Sequence, residues 1–189
     1  MSFLMVGVFT MQLLNNAKID DILEFTLKNE GAYSNHPNDR GGETYWGVTR
    51  EYALAHGVDG KVTKKQAKKM YMEDAIKHGV FYLDPASALY VFDACVLFGF
   101  KRAVSWFQHA INLVAGRRVI NDDGYIGQKT ISAYESVDKR AVIDMLHKRI
   151  LQHHVVTAQR NQKQRVFLRG WLNRAERRYK EFLENLNNG

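Results

Sequence analysis

Cysteine and proline are both scarce in this sequence. Its 189 residues include one cysteine, Cys95, and two prolines. One cysteine excludes an intramolecular disulfide and a cluster of zinc-binding thiolates, so the chain is not a secreted disulfide scaffold. The low proline content leaves room for long helices. A chain of this length buries a core without such supports, and we expect a single, mainly α-helical globular unit.

Long hydrophobic runs are also missing. No stretch reaches the roughly 18 apolar residues that are needed to span a bilayer. The N-terminal residues 1–14 are apolar but short, and neither a preceding basic residue nor a small-residue cleavage site accompanies them. They therefore make a poor signal peptide, and we interpret residues 1–16 as an N-terminal arm.

Acidic residues become rare toward the C-terminus. Residues 139–189 carry 12 Lys/Arg against 4 Asp/Glu, whereas residues 1–138 carry 15 against 16. The net charge of +7 is thus a property of the last quarter of the chain. Such an excess attracts nucleic acid, anionic lipid, lipopolysaccharide or an acidic wall polymer, and charge alone does not choose among them.

Helical periodicity is clear in the first part of the chain. An amphipathic helix is predicted over residues 17–29, ending near Gly31, with an inner face of Ile19, Ile22, Leu23, Thr26 and Leu27. A capping box at Thr63 and Gln66 starts another helix. Its inner face consists of Val62, Ala67, Met70, Tyr71 and Ala75.

The second part of the chain also favours helices. Apolar segments over residues 86–98 and 102–114 precede a turn at residues 121–124 and a short segment over residues 128–134. A long helix is predicted over residues 139–159, with Val142, Met145, Leu146, Ile150 and Val155 on its inner face. The last helix carries an apolar stripe of Phe167, Trp171, Ala175, Tyr179 and Phe182.

Glu30 stands where the first helix should stop, at the start of a glycine-rich loop over residues 31–47. The negative end of the helix dipole and burial beside aromatic residues both favour the protonated form of a carboxyl group at this place. A protonated carboxyl can act as a general acid on a glycosidic oxygen. Asp39 is the obvious second carboxylate, and the Thr44 hydroxyl is suited to position a water molecule. Taken singly, each of the three is also explained as a helix end, a turn residue or a strand residue.

The loop as a whole is more specific than these single residues. Its segments are Glu30-Gly-Ala-Tyr33, Pro37-Asn-Asp39-Arg-Gly-Gly-Glu-Thr44 and Trp46-Gly-Val-Thr49. Together they closely resemble the signature of glycoside hydrolase family 108, the phage endolysin and secretion-activator muramidases. The family has Gly where this chain has Ala32. The resemblance implies a lysozyme-like fold with one irregular or hairpin catalytic loop, and Glu30 as the catalytic glutamate.

The assignment of Asp39 and Thr44 as catalytic partners of Glu30 rests on a second likeness. The spacing from Glu30 to Asp39 is similar to that in the phage lysozymes that use a Glu, Asp and Thr triad. Those enzymes have five residues between the aspartate and the threonine, whereas this chain has four between Asp39 and Thr44. Glu43 is the alternative second carboxylate.

The second half resembles the predicted peptidoglycan domain that usually follows in this family. The matching positions are Asp93, Gly99, Arg102-Ala103, Gln108, Asp123-Gly124, Gly127, Thr130 and the segment from Gly170 to Arg174. We therefore divide the chain into a catalytic region over residues 17–85 and a peptidoglycan-associated region over residues 86–189. The alternative is that Gln108, Asp123 and Trp171 only fix helix ends and packing, and for Trp171 we prefer it.

Aromatic and basic residues indicate further contacts. Tyr33, Tyr45 and Trp46 are candidates for stacking on sugar rings, although Trp46 is equally well explained as a core residue. Arg165, Arg169, Arg174, Arg177, Arg178 and Lys180 surround the stripe of the last helix. They form either a solvated face or, through residues 161–186, a surface for lipopolysaccharide or an anionic membrane. No His or Cys spacing of a metal site occurs, and Asp122-Asp123-Gly124 lacks the ligand periodicity of a calcium loop, so no metal or cofactor is expected.

These patterns predict a peptidoglycan muramidase, a phage-type endolysin that cuts the β-1,4 bond between N-acetylmuramic acid and N-acetylglucosamine and so lyses the host. Two alternatives remain open: a lytic transglycosylase, and a non-catalytic basic binder of envelope or nucleic acid. The predicted partner is peptidoglycan rather than nucleic acid, and we expect a monomer. We expect synthesis in the host cytoplasm and action on the periplasmic wall after release through a holin.

Overall fold

The computed structural model describes residues 11–30, 33–34 and 43–187. Within these ranges the chain forms one compact unit of eight α-helices and a two-stranded sheet, which confirms the predicted mainly α fold. The elements are α1 (Asn16–Glu30), β1 (Thr44–Tyr45), β2 (Val48–Thr49), α2 (Arg50–Ala55), α3 (Lys64–Lys77), α4 (Pro85–Phe98), α5 (Phe100–Val114), α6 (Gln128–Glu135), α7 (Lys139–Arg160) and α8 (Leu168–Asn187). Short 3₁₀ segments cover Val80–Tyr82 and Gln162–Phe167. No helix of the described part is both long and apolar enough to cross a membrane.

The helix α1 buries the face that its sequence predicts. The side chains of Ile19, Ile22, Leu23, Thr26 and Leu27 are all buried. This face packs against α3 and α4. The helix ends at Glu30, which brings that carboxyl group to the surface of the core.

The capping box at the start of α3 is also confirmed. The Thr63 hydroxyl accepts a hydrogen bond from the Gln66 backbone N–H, and the Gln66 side chain accepts one from the Thr63 N–H. Two N–H groups that the helix itself leaves unpaired are thereby satisfied. The start of α3 is therefore set locally.

Helix α4 is the centre of the fold. Asp84 caps its N-terminus and Pro85 takes the first position. All ten residues from Ala86 to Cys95 are buried, and the helix packs against α1, α5 and α8. Asp93, the one charged residue of α4, is completely buried. A charge in such a place requires partners from other elements.

Two positions of α7 differ from the prediction. Val142, Leu146 and Ile150 are buried as expected, but Met145 and Val155 are 38% and 36% exposed, so their placement on the inner face was wrong. The stripe that faces the core includes His147 and His154 instead. The reason is their aromatic packing, because His147 stacks on Tyr179 and His154 stacks on Trp171.

The apolar stripe of α8 lies inside the fold. Ala175 and Phe182 are buried, and the helix packs on α4 and α7. The Tyr179 hydroxyl donates a hydrogen bond to Asp144 of α7. The part of the stripe at Ala175, Tyr179 and Phe182 therefore helps to hold the unit together.

Gln108 fixes the loop between α5 and α6. Its side-chain amide donates to Asp123 Oδ1 at 2.9 Å and to the Tyr125 carbonyl at 3.0 Å, while its oxygen accepts from the Gly124 N–H at 2.8 Å. Gly124 has φ +83°, and a Cβ there would lie 2.6 Å from the Lys101 carbonyl oxygen. These contacts give Gln108 and Asp123 a structural role.

Candidate active site

A β-hairpin with a two-residue turn forms one wall of the site. The strands β1 and β2 are antiparallel, with Thr44 opposite Thr49 and Tyr45 opposite Val48. The turn residues Trp46 and Gly47 have φ values of +57° and +74°, the pair of positive angles that a type I′ turn requires. The part of the predicted catalytic loop that the structure describes is thus a hairpin.

The carboxyl group of Glu30 lies against this turn. A Cβ built on Gly47 would stand 2.8 Å from the Glu30 Cδ and Oε2 atoms, so a larger residue there would have to displace the carboxyl group. The Glu30 side chain is 13% exposed. The end of α1 and the turn of the hairpin therefore form one closely packed unit around a single carboxyl group.

Arg174 of α8 contacts the same carboxyl group. Its Nη2 atom forms an ion pair with Glu30 Oε1, and the arginine side chain is only 11% exposed. The prediction that Arg174 belongs to a basic surface of the last helix is therefore wrong. The physical reason is that this position of α8 faces the two acidic groups at the centre of the fold.

Asp93 holds Arg174 in place and binds a second arginine. Arg174 donates to Asp93 through Nη2 to Oδ1 at 2.9 Å and through Nε to Oδ2 at 3.4 Å. Arg178 donates through Nη1 to Asp93 Oδ2 at 2.6 Å and is 1% exposed. Arg178 was also predicted on the surface, and this prediction is likewise wrong, because its guanidinium is the second counter-charge of a buried carboxylate.

Glu30, Asp93, Arg174 and Arg178 form one connected network. Burial by itself opposes ionisation of Asp93, but the charges of Arg174 and Arg178 outweigh it and hold the pKa of Asp93 below its ordinary value. Burial tends to lower the pKa of Arg174, and the charges of Asp93 and Glu30 reverse this and raise it. Arg174 thus connects the Glu30 carboxyl group of α1 to Asp93 of α4.

Tyr71 of α3 closes the site from another side. Its hydroxyl donates to the carbonyl oxygen of Trp46 at 3.4 Å. Burial, reinforced by the charge of Glu30, raises the pKa of Tyr71 far above its ordinary range. The tyrosine therefore stays neutral and ties α3 to the hairpin turn.

A cavity of about 370 Å³ adjoins the Gly47 turn. Tyr52 and Tyr71 form one side, with their rings stacked at 5.5 Å. The Tyr52 hydroxyl donates to Asp74 Oδ2 at 2.7 Å, and burial raises the pKa of Tyr52. Tyr52, Tyr71 and the Asp74 carboxylate thus form one wall of the cavity.

The predicted sugar-stacking residues lie near one another on the hairpin side. Tyr33 is 54% exposed, and its ring is 5.2 Å from that of Tyr45. The Tyr45 hydroxyl donates to Glu43 at 3.1 Å. Trp46 is partly buried, with the Lys64 ammonium 5.6 Å from its ring centre. Tyr33 and Tyr45 therefore offer the more open aromatic faces.

The other predicted catalytic residues are placed differently. Thr44 lies in β1, and its backbone pairs with Ser34 through N···O distances of 2.8 and 3.0 Å. Asp39 lies outside the described residues. Glu43, the alternative carboxylate, is exposed. The catalytic roles of Glu30, Asp39 and Thr44 remain predictions.

A larger cavity of about 440 Å³ lies between α5 and α7. Its lining includes Trp106, His109, Asp122 and Arg149. These residues are not part of the Glu30 network. In the described ranges no group of three or more His, Cys, Asp or Glu side chains is arranged to hold a metal ion.

Comparison with known proteins gives two family matches and a similar fold. Residues 23–99 match the family described as Glycosyl hydrolase 108, and residues 102–176 match the Predicted Peptidoglycan domain. No curated protein matches the sequence. The fold is similar to that of a solved protein described as "Structure of Brucella abortus SagA", with a TM-score of 0.74 and 23% identity over 90% of this chain and 96% of that chain. The chain thus joins a region that matches glycosyl hydrolase 108 to one that matches the predicted peptidoglycan domain, in that order, which supports a glycoside hydrolase acting on peptidoglycan.

Proposed function

We propose that the protein is a muramidase that hydrolyses the β-1,4 bond between N-acetylmuramic acid and N-acetylglucosamine. The observation that carries this proposal is the position of Glu30. It is a nearly buried carboxyl group at the end of α1, packed on the turn at Gly47, and Gly47 in turn lines a cavity with the stacked Tyr52 and Tyr71. Glycoside hydrolysis requires a carboxyl group that is held in one place and transfers a proton to the leaving oxygen.

The two oxygens of Glu30 have different tasks in this proposal. Oε1 forms the ion pair with Arg174, and a guanidinium group has only donors, so in this proposal Oε1 does not carry the proton. The transferable proton is then carried on Oε2, the oxygen beside Gly47. Asp39 is the proposed second carboxylate, which stabilises positive charge on the sugar or activates water, and Thr44 is proposed to orient that water.

The proposed biological role is that of a phage-type endolysin, made in the host cytoplasm and released to the wall for lysis. It rests on the likeness of the loop signature to phage enzymes. A lytic transglycosylase is the competing activity within the same chemistry. That reaction also uses a glutamate but leaves an anhydro sugar instead of adding water.

Mass spectrometry of the products from purified peptidoglycan tests the proposed activity. A muramidase releases fragments with N-acetylmuramic acid at the reducing end. A transglycosylase releases anhydro-muramic ends, which differ by one molecule of water. Fragments ending in N-acetylglucosamine would place the cut at the other bond, and no fragments from the wild-type protein would contradict catalysis.

We also propose that exposed basic residues between 161 and 186 contact an anionic envelope surface, namely lipopolysaccharide. Residues 145–175 contain no Asp or Glu at all. Arg165, Arg169, Arg177 and Lys180 are exposed, and Val166 is 62% exposed in their midst. The surface does not include Arg174 and Arg178, which are bound to Asp93.

A further inference from the structure

Arg174 is shared between two carboxyl groups that come from different helices. Its Nη2 atom faces both Glu30 Oε1 from α1 and Asp93 Oδ1 from α4. Asp93 is fully buried and has Arg178 as a second partner, so it is held in the ionised form. The position of Arg174 is therefore fixed by Asp93 independently of Glu30.

We propose that Arg174 is a positioning residue that sets the orientation of Glu30 and its readiness to carry a proton, and that Asp93 tunes this effect by dividing the charge of the arginine. The inference rests on the proposed role of Glu30 as general acid. Arg174 does not touch the reacting atoms in this account. It holds Oε1 and opposes protonation, whereas Asp93 withdraws part of its charge and relaxes that opposition.

The other described groups around Arg174 leave its charge divided between Glu30 and Asp93. Tyr71 of α3 is neutral, and Gly47 of the hairpin contributes only backbone. The other groups near Arg174 are Asp93 of α4, Arg178 of α8 and His154 of α7. Burial and the neighbouring charges of Arg178, His153 and Arg174 lower the pKa of His154 to about 4, so it is uncharged at neutral pH. Among the described residues, the charged groups of this network are therefore Arg174, Asp93 and Arg178.

The contact between Glu30 and Arg174 joins the two regions of the chain. Glu30 lies in the region that matches Glycosyl hydrolase 108, and Arg174 lies in the region that matches the Predicted Peptidoglycan domain. A side chain of the second region is thus part of the machinery of the first. The second region completes the active site in addition to any contact that it makes with the wall.

Two substitutions with opposite effects test the inference. The readout is the rate of peptidoglycan hydrolysis as a function of pH. The rate falls on the alkaline side of this profile, the alkaline limb, because a general acid must be protonated to act. Arg174→Gln removes the positive charge, so we expect the alkaline limb to move to higher pH by about one unit. Asp93→Asn leaves the full charge of Arg174 to Glu30, so we expect the limb to move to lower pH. Arg117→Gln, an exposed arginine after α5, is the matched control with no expected shift.

Folding and rescue keep the result decisive. Thermal unfolding shows which variants fold, and Arg174→Lys, which keeps the charge but loses the planar fork, should return the limb toward the wild-type position while the rate stays lowered. If Arg174→Gln does not fold, the expected shift of Asp93→Asn to lower pH still gives the sign, with Arg174→Lys as the variant that keeps the charge. Unshifted limbs, or shifts of the same direction in both variants, would overturn the inference. A fully active Glu30→Gln would instead refute the proposed function.

Discussion

The carboxyl group of Glu30 and the Cα of Gly47 are in such close contact that a Cβ on residue 47 would lie 2.8 Å from the Glu30 Cδ. The contact joins the end of a helix to the turn of a hairpin. It gives a reason for a glycine at position 47. A methyl group at this position must displace the carboxyl group or open the turn.

Replacing Gly47 by alanine separates this contact from simple backbone strain. Gly57 offers a matched control, because its φ of +73° is nearly that of Gly47 at +74° and nothing lies within 4 Å of its Cβ position. A non-glycine residue in this conformation costs about 1–2 kcal/mol of stability at either site. We expect both variants to unfold at a lower temperature, and only Gly47→Ala to lose most of its hydrolysis of peptidoglycan. Equal activity of the two variants would show that the contact has no role in catalysis.

Asp39→Asn and Thr44→Ala test the two partners that the loop likeness implies. A charge that faces an oxocarbenium-like transition state contributes more than a hydroxyl that orients water, so we expect a large loss of rate for Asp39→Asn and a smaller one for Thr44→Ala. Thr44 pairs through its backbone, so the alanine variant keeps the strand. The measurement is the initial rate on purified peptidoglycan. A neutral Asp39→Asn would transfer the role to another carboxylate, and Glu43→Gln is then the variant to measure.

Features that depend on neighbouring residues could be predicted from the sequence. The inner face of α1 and the capping box of Thr63 both follow from spacings of three and four residues, and the structure confirms them. The hairpin was expected only as an irregular or hairpin loop. Its type follows from the positive φ of Trp46, which a sequence pattern does not indicate for an aromatic residue.

The Arg174 network could not be predicted in this way. Its partners Glu30, Asp93 and Arg174 are far apart in the sequence, and a count of apolar positions places every arginine of α8 outside. One signal was present, because Asp93 is the only charged residue between Ala86 and Phe98. A lone acid in a segment otherwise apolar on all sides requires a buried cation, and the last helix is the richest source of arginine.

His154 gives the protein a pH-dependent stability. Its pKa is about 4 in the folded state and about 6.5 in the unfolded chain, so the unfolded chain binds more protons between these values. The part of the unfolding free energy that is linked to His154 is fully present above pH 6.5 and is lost as the pH falls toward 4. The loss amounts to about 3 kcal/mol. His147 and His153 shift in the same direction through burial.

His154→Phe should remove the share of this dependence that belongs to His154. Its Nε2 has no hydrogen-bond partner among the described residues, and a phenyl ring can retain the stacking on Trp171. We therefore expect the variant to lose less stability than the wild type between pH 6.5 and 4, measured by denaturant unfolding. Parallel curves for the two proteins would contradict the assignment.

The exposed basic residues test the proposed envelope contact. The variant that combines Arg165→Gln, Arg169→Gln, Arg177→Gln and Lys180→Gln removes the surface charge without touching the Asp93 network. We expect weaker permeabilisation of intact Gram-negative cells and unchanged hydrolysis of purified wall, because only the attraction to lipopolysaccharide is lost.

A second fourfold variant controls for net charge. It carries the same number of exposed changes elsewhere: Lys18→Gln, Lys65→Gln, Arg117→Gln and Lys129→Gln. This control should permeabilise like the wild type. If both variants behave alike, the effect belongs to total charge, and if neither differs from the wild type the basic residues are simply a solvated face.

The rate of peptidoglycan hydrolysis by Glu30→Gln is the most direct measurement of the central claim, that the Glu30 carboxyl is the general acid. Glutamine keeps the size of the side chain and an oxygen that can accept from Arg174, but it carries no transferable proton. We expect a protein that unfolds at nearly the wild-type temperature. It should hydrolyse purified peptidoglycan about 10² to 10⁴ times more slowly. A folded Glu30→Gln protein with a rate near that of the wild type would contradict the claim.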